Sequence, residues 1–339
     1  MDGNIKKYID GIAGNLPPQI ISEATYIKIF NMSSMFSDFA ASEYIMETNL
    51  NTEAAEVDFS FRILAREKAA LINGLNNDDF ATLAADETWG KIIDFVNYWP
   101  QEISDIWLEM DYGEYVKSIP QPCFFFNARQ IKTGTDVDEK LLFESLKQLL
   151  DIELLEPIWP HLQRVIQQLP PAVGLFQAGV MLARNRDRVR LFTAELTQEQ
   201  MKEYLANISW SFLPRLDELF ELVNPYSDGQ YILDFDVSAD GVSEKIGINF
   251  GVDKKESLPA FLENLVIHQL CSDIKSRGIL AWSGSKGSYL GPNYGYSALI
   301  KDISHFKMSY SSIEGIKVKA YLKVVGIYLK ELFKTRTSI

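Results

Sequence analysis

The fold of this chain is decided by one stretch, Ser304–Val325, which reads SHFKMSYSSIEGIKVKAYLKVV. Two runs of alternating apolar and polar residues flank a turn at Ser312–Gly315, and this pattern predicts a β-hairpin. Successive side chains of a strand point to opposite faces of its sheet. One face of the hairpin is therefore apolar and needs a packing partner. The other face carries several cations and a phenol: His305, Lys307, Ser309, Lys317, Lys319, Tyr321 and Lys323.

Four more stretches show the same two-sided alternation. They are residues 56–64 (EVDFSFRIL), 103–132, 173–196 and 231–252. The turns of the last four hairpins fall near residues 117, 186, 241 and 313. Their intervals are irregular, roughly 55 to 70 residues, but a fixed element order at such a period is typical of repeat architectures. The predicted unit is helix–strand–strand–helix. If residues 42–64 hold a degenerate first pair of strands, there are five units and ten antiparallel strands.

Apolar residues at helical spacing predict helices between these hairpins. The predicted helices cover residues 20–46, 66–75, the segment after Asp86, 136–150, 158–169, 197–208, 212–223 and 258–275. Thr197 and Gln200 fit a capping box. A short C-terminal helix is expected to carry Leu329, Leu332 and Phe333. The Gly- and Tyr-rich residues 278–296 are expected to form a loop at a rim.

The helices must bury their apolar stripes, and the apolar strand faces are the surface available to them. The predicted fold class is α+β: repeated helix–strand–strand–helix units form a ten-strand antiparallel barrel with the helices outside. Such a barrel has no sheet edges and encloses a wide polar lumen. An open antiparallel sheet covered by helices stays as the alternative. We expect residues 1–339 to form a single domain, with an N-terminal helical segment over 1–42 and the repeats over 43–339.

Composition narrows the class of protein. The 339 residues are 47% hydrophobic, which is enough for a large core. A formal net charge of −13 disfavours a nucleic-acid partner, because phosphate binding needs a basic surface. Two cysteines cannot form a disulfide framework or a cysteine zinc site. The chain shows neither a signal peptide nor a membrane-spanning apolar run, so we expect a cytoplasmic protein without a membrane partner.

Two short motifs resemble a known family. Val57–Leu64, VDFSFRIL, is similar to the first-repeat strand of the bacterial soluble aromatic prenyltransferases. Lys319-Ala-Tyr321 is similar to the Lys-x-Tyr pattern by which the indole prenyltransferases hold a diphosphate. With the element order, these motifs resemble the aromatic prenyltransferase barrel, or ABBA fold. The chain departs from that pattern because its other strands lack Lys-x-Tyr, and because Asp234 and Asp236 add negative charge where a phosphate needs positive charge.

The resemblance implies transfer of an isoprenoid from an allylic diphosphate to an aromatic or peptide acceptor. Pyrophosphate departure needs converging cations, the allyl cation needs aromatic faces, and the acceptor needs a carboxylate base. Glu109 is the implied catalytic residue. Phe125 and Tyr310 are further aromatic candidates, although alternation places Tyr310 opposite Lys307. The implied substrate-binding residues are Arg62, Trp107, Asn127, Arg129, Arg190, Lys245, Lys307, Lys319, Tyr321 and Lys323.

Asp234-Phe-Asp236 resembles a metal-binding carboxylate pair, and oxygen ligands suit Mg²⁺. Alternation at a strand end explains the same pattern, and the family resemblance requires no cofactor. Arg184 and Arg186 lie in a predicted hairpin turn and are expected to be solvated. A second hypothesis is a non-catalytic protein whose polar face binds a ligand or a polypeptide, as an accessory factor in a biosynthetic pathway. The acidic net charge favours this hypothesis, and the cationic strand favours the enzyme.

Overall fold

The computed structural model of the chain describes residues 5–34, 36, 43–75, 86–111, 121–184, 186–291 and 295–328. The predicted turn near residue 117 and the predicted C-terminal helix with Leu329, Leu332 and Phe333 lie outside these residues. In the described part of the chain, no helix is both long enough and apolar enough to cross a membrane.

The strands follow the predicted hairpins in chain order. They are β1 (Glu43–Asn49), β2 (Asp58–Leu64), β3 (Asp105–Met110), β4 (Pro122–Asn127), β5 (Lys132–Thr133), β6 (Asp136–Val137), β7 (Leu175–Val180), β8 (Arg188–Thr193), β9 (Ile232–Ser238), β10 (Gly241–Phe250), β11 (Gly284–Tyr289), β12 (Tyr296–Ser311) and β13 (Gly315–Tyr328). β5 and β6 form a separate small hairpin, and the others share one antiparallel sheet.

Ten of these strands close into a ring in the order β1-β2-β3-β4-β7-β8-β9-β10-β12-β13. β10 pairs with β12 from Ile246↔Tyr310 to Phe250↔Phe306. β13 returns to β1, where Lys319 lies opposite Asn49. Every strand of the ring thus has a partner on both sides. The predicted closed ten-strand barrel is confirmed, and the open-sheet alternative is wrong.

Helices cover the outside of the barrel. They are α1 (Ile5–Ile12), α2 (Glu23–Ser34), α3 (Lys68–Leu75), α4 (Glu87–Tyr98), α5 (Glu139–Lys147), α6 (Ile152–Gln167), α7 (Gln198–Asn207), α8 (Leu213–Val223), α9 (Leu258–Ile267) and α10 (Asp273–Leu280). Their apolar stripes and the outward strand faces form the main core. For example, the ring of Phe95 on α4 lies 4.6 Å from that of Phe124 on β4. This arrangement confirms the α+β class.

Polar side chains set where several helices begin. The predicted capping box of α7 is present, because Thr197 and Gln200 exchange side chain–backbone hydrogen bonds. Asp138 accepts a hydrogen bond from the Leu141 backbone N–H at 2.9 Å. This cap starts α5 at Glu139, whereas Asp136, where the helix was predicted to begin, belongs to β6.

Other predicted segments also differ from the structure. The helix expected over residues 20–46 ends at Ser34, and Glu43–Asn49 is strand β1. The apolar residues of this strand are compatible with both the helical and the strand period. The helix expected over residues 258–275 is divided into α9 and α10, because Gln269 adopts a left-handed conformation with φ 58° and ends the first helix. The predicted rim loop contains β11, which pairs with the first half of β12 outside the ring.

Gly179 on β7 leaves room for an aromatic side chain to lie across this strand on the inner face of the barrel. A Cβ at this position would lie 2.2 Å from the Phe124 carbonyl oxygen and 2.5 Å from Cδ1 of Phe125. The Phe125 ring uses this space and meets Phe192 on β8 edge-to-face, with 5.7 Å between ring centroids. The missing side chain therefore brings two aromatic rings together inside the barrel.

Gly179→Ala is expected to lower the free energy of unfolding by about 1–3 kcal/mol, because the backbone of β4 and the Phe125 ring must both move. Urea denaturation measures the loss. The matched control is Gly284→Ala on exposed β11, where a Cβ meets nothing within 4 Å. Equal effects of the two variants would contradict the steric argument.

Candidate active site in the barrel lumen

The barrel encloses a cavity of about 570 Å³, within the usual range for small-molecule sites. It is lined by the inward side chains of the strands, as alternation predicts. The lining combines charged, aromatic and amide groups, among them Glu43, Glu47, Arg62, Asp105, Trp107, Glu109, Phe125, Asn127, Arg129, Arg184, Arg190, Phe192, His305, Lys307, Lys319 and Tyr321. One face of each of the five hairpins therefore surrounds a single cavity.

Most of the predicted site residues meet in this cavity. Those that line it are Arg62, Trp107, Glu109, Asn127, Arg129, Arg190, Lys307, Lys319 and Tyr321. Lys245 does not, because it lies at an exposed barrel end, where its ammonium pairs with Glu314 at 2.6 Å. Lys323 is also outside the lining, in register with Asp302 of β12. Tyr310 packs outside against Trp210 and Phe212.

The carboxylates predicted as a metal pair bind cationic side chains. Asp234 accepts hydrogen bonds from Nζ of Lys307 at 2.6 Å and Nδ2 of Asn249 at 2.8 Å. Asp236 forms a two-point ion pair with Arg190 at 2.7 and 2.9 Å. Among the described residues, no group of three or more His, Cys, Asp or Glu side chains could hold a metal ion. The donor set around the two aspartates does not fit the magnesium site predicted from the sequence.

The same pairing holds around the rest of the lumen. Lys319 forms an ion pair with Glu47 across β13 and β1. Arg62 makes a two-point ion pair with Asp105, at 3.1 Å through Nε and 3.0 Å through Nη2. Asn127 donates to the same aspartate at 2.9 Å. Four of the predicted cations, Arg62, Arg190, Lys307 and Lys319, thus face the cavity with carboxylates already bound to them.

Arg129 and Lys323 differ from these cations, since neither makes an ion pair with any residue that the structure describes. Arg129 follows the end of β4, and its guanidinium lies 4.8 Å from the ring centroid of Phe176. This side chain is exposed where it lines the cavity. An anion approaching Arg129 therefore meets a positive charge without a carboxylate partner.

Glu109 on β3 has an unusual electrostatic setting. Burial raises the pKa of Glu109 to about 7, the charge of Glu47 adds to the shift, and the charge of Arg184 opposes it. Nη2 of Arg184 lies 3.1 Å from Oε1 of Glu109, and the same guanidinium binds Asp111. Sequence reasoning placed Arg184 at a solvated turn, because the contact across the lumen from the segment after β7 to β3 has no local signal. Glu109 can therefore exchange a proton near neutral pH.

His305 and Tyr321 form a stacked pair on the lumen wall. Their ring centroids are 4.2 Å apart and their planes differ by 13°. The two residues lie directly opposite each other in the register of β12 and β13, so their rings meet on the same face. Burial, with a smaller contribution from the charge of Lys307, lowers the pKa of His305 to about 4. The imidazole is therefore neutral at pH 7.

A small apolar cluster separate from the main core forms another part of the wall. Cys123, Phe125 and Met181 are buried together, and Trp107 and Phe192 pack against them. Trp107 and Phe125 were predicted from alternation. Phe192 was missed, although the alternation of Arg188, Arg190 and Phe192 in β8 contains the signal. The lumen therefore has one aromatic side and one charged side.

A closed ten-strand antiparallel barrel with outer helices and a polar lumen is the aromatic prenyltransferase barrel, the ABBA fold. No family model matches the sequence. No curated protein matches it either. Solved structures do match, and their similarity establishes the fold of this chain.

Three of these structures cover nearly the whole barrel. The 6-dimethylallyltryptophan synthase from Micromonospora olivasterospora, in complex with DMASPP and Trp, is 13% identical over 94% of this chain and 97% of its own, with a TM-score of 0.59. A structure described as 6-dimethylallyl tryptophan synthase is 12% identical over the same shares, with a TM-score of 0.56. AnaPT from Neosartorya fischeri is 10% identical over 94% of this chain and 91% of its own, with a TM-score of 0.51.

Glu47→Gln is expected to remove a pH-dependent part of the stability. Burial alone would raise the pKa of Glu47, but the charge of Lys319 and hydrogen bonds from Lys319 and Tyr321 lower it from 4.5 to about 2. A carboxyl with a depressed folded-state pKa stabilises the fold above its unfolded value, and this contribution is lost as pH falls toward the folded value. Urea denaturation should show the wild type about 3 kcal/mol more stable than the variant at pH 7.

The difference between wild type and Glu47→Gln should shrink as pH falls from 4.5 to 2. Glu314→Gln is the matched control, since Glu314 pairs with two lysines at an exposed barrel end. Solvent screening should make its effect much smaller. A stability difference for Glu47→Gln that is the same at every pH would contradict this account.

Proposed function

We propose that this chain transfers an isoprenoid group from an allylic diphosphate to an aromatic or peptide acceptor inside its lumen. One observation carries the proposal: a single cavity brings together cations, an aromatic wall and a half-buried carboxylate with a pKa near 7. Each of these groups answers one demand of the reaction. The fold shared with aromatic prenyltransferases supports the same assignment.

Lys307, Lys319 and Arg190 are the groups proposed to bind the donor diphosphate. Lys307 on β12 lies directly opposite Lys319 on β13 in the strand register. Like charges in such positions repel unless each has a counter-ion, and here each has its own carboxylate. When the carbon–oxygen bond of the donor breaks, negative charge grows on the leaving pyrophosphate. Cations fixed in advance stabilise that charge without reorganising.

Trp107, Phe125 and Phe192 are proposed to shield the allylic cation. Aromatic faces attract cations through their quadrupole, and apolar walls exclude the water that would trap the cation as an alcohol. Trp107 and Glu109 lie two residues apart on the same face of β3. The proposed base therefore stands beside the aromatic wall, where the acceptor ring would lose its proton after the new carbon–carbon bond forms.

Glu109→Gln is expected to lower kcat by about 10²–10⁴, the usual contribution of a general base. In the wild type the base works only when ionised, so kcat/KM should rise with pH and level off above about 7. The variant should lose this limb. The assay follows prenylated product from dimethylallyl diphosphate and tryptophan, and Glu203→Gln on outer helix α7 is the control. A Glu109→Gln variant with an unchanged rate and pH profile would rule out the proposed role.

A second candidate function is ligand or polypeptide binding without catalysis, and one observation favours it. Among the described residues, Arg129 is the only cation lining the cavity that has no carboxylate partner. A lumen with so little uncompensated positive charge suits a polar ligand of low net charge as well as a diphosphate. The two functions differ in whether an allylic diphosphate binds and reacts.

Calorimetric titration of dimethylallyl and geranyl diphosphate separates the two functions. If Lys319 contacts the donor, Lys319→Ala should weaken binding by about 1.5–3 kcal/mol, the range for a hydrogen bond to a charged group. Lys202→Ala, which breaks an exposed ion pair on the outer helices, is the control and should bind as the wild type does. Absence of binding and of product with either donor would favour the non-catalytic function.

A further inference from the structure

The ion pair between Lys307 and Asp234 is built into the barrel wall. Lys307 lies on β12 and Asp234 on β9, with β10 between these two strands. Gly247 is the residue of β10 that faces the gap. A Cβ there would lie 2.2 Å from Cε of Lys307 and 2.3 Å from Oδ2 of Asp234. The lysine therefore reaches its counter-ion only because the strand between them has no side chain at this point.

Two more cations of the proposed donor site are held in a similar way. Arg190 on β8 lies directly opposite Asp236 on β9 and binds it through two nitrogens. Lys319 binds Glu47 on the neighbouring strand. The three carboxylates are deeply buried, with exposed fractions of 7% for Glu47, 3% for Asp234 and 7% for Asp236. Each cation thus has its own buried counter-ion.

The positions of these counter-ions matter for an anion in the cavity. Lys307, Lys319 and Arg190 line the cavity, as does Glu47, whereas Asp234 and Asp236 are not part of its lining. A diphosphate could still reach the cations, but each attraction would be opposed by the carboxylate bound to that cation. In a buried setting such opposing charges are screened only weakly.

We propose that Glu47, Asp234 and Asp236 are built-in counter-ions that set the charge selectivity of the lumen and limit its affinity for polyanions. This inference rests on the proposed function, in which the same three cations bind the donor diphosphate. The carboxylates hold the cations in position and compensate their charge within the buried wall. They also lower the free-energy gain when a diphosphate binds, and so favour release of the pyrophosphate product.

Titration calorimetry with inorganic pyrophosphate at pH 7 tests the proposal. Asp236→Asn is the sharpest variant, because the guanidinium of Arg190 stays charged when its partner is neutralised. Asp234→Asn and Glu47→Gln test the two lysines. Each variant is expected to bind pyrophosphate at least about tenfold more tightly than the wild type. The matched control is Asp217→Asn, which breaks an exposed ion pair with Lys202 outside the barrel and should leave the affinity unchanged.

A thermal-shift measurement covers the case in which a variant is too unstable for calorimetry. Each lumen variant should have a lower Tm than the wild type without ligand, and pyrophosphate should raise its Tm more than that of the wild type or of Asp217→Asn. Lumen variants that bind pyrophosphate no more tightly than the wild type, or more weakly, would overturn the proposal. The pyrophosphate readout needs no turnover, so failure of wild-type prenyl transfer would count against the proposed function alone.

Discussion

Closure of the ten-strand ring is the constraint on which the rest of this molecule depends. Because every strand of the ring has a partner on both sides, each must turn one row of side chains to the helices and the other row into the lumen. The outer row can be uniformly apolar because the helices cover it. The inner row encloses a space of about 570 Å³ that the chain leaves open, and its charged groups must therefore satisfy one another across strands.

These interactions between charged groups couple distant parts of the site electrostatically. Lys319 keeps Glu47 ionised, and the resulting negative charge is one of the causes that raise the pKa of Glu109. The proton affinity of the proposed base therefore depends on a lysine of another strand. Arg184 acts in the opposite direction through its contact with Glu109. Substitutions in the donor region will consequently shift the pH at which the base works.

The sequence predicted the ring well because alternation is a local signal. In the hairpin 304–325 the alternation shows both faces directly, and four of its seven inward residues line the cavity: His305, Lys307, Lys319 and Tyr321. β1 was harder to predict, since five consecutive residues from Tyr44 to Thr48 are buried and so hide the strand period. β11 consists mostly of Gly and Ser, which have low strand propensity, and it was predicted as part of a loop.

The pairing of charges inside the lumen could not be predicted in the same way. Glu47 and Lys319 are 272 residues apart in the chain, so their contact exists only once the first and last strands of the ring meet. A one-residue irregularity also shifts the strand register, as between Ile303 and His305 on β12, and changes which face the residues beyond it present. The strand register therefore decides which charged side chains meet, and the residue pattern alone does not give it.

The long strand β12 has a different partner in each half. Residues 296–301 pair with β11 on one side, and residues 306–310 pair with β10 on the same side. β13 accompanies both halves, so β11, the first part of β12 and the last part of β13 form a three-stranded arm that projects from the ring, with α1 against it. An insertion or deletion at the β11–β12 turn changes the length of this arm and leaves the stagger of the ten ring strands untouched. The arm can therefore change in length without rebuilding the lumen.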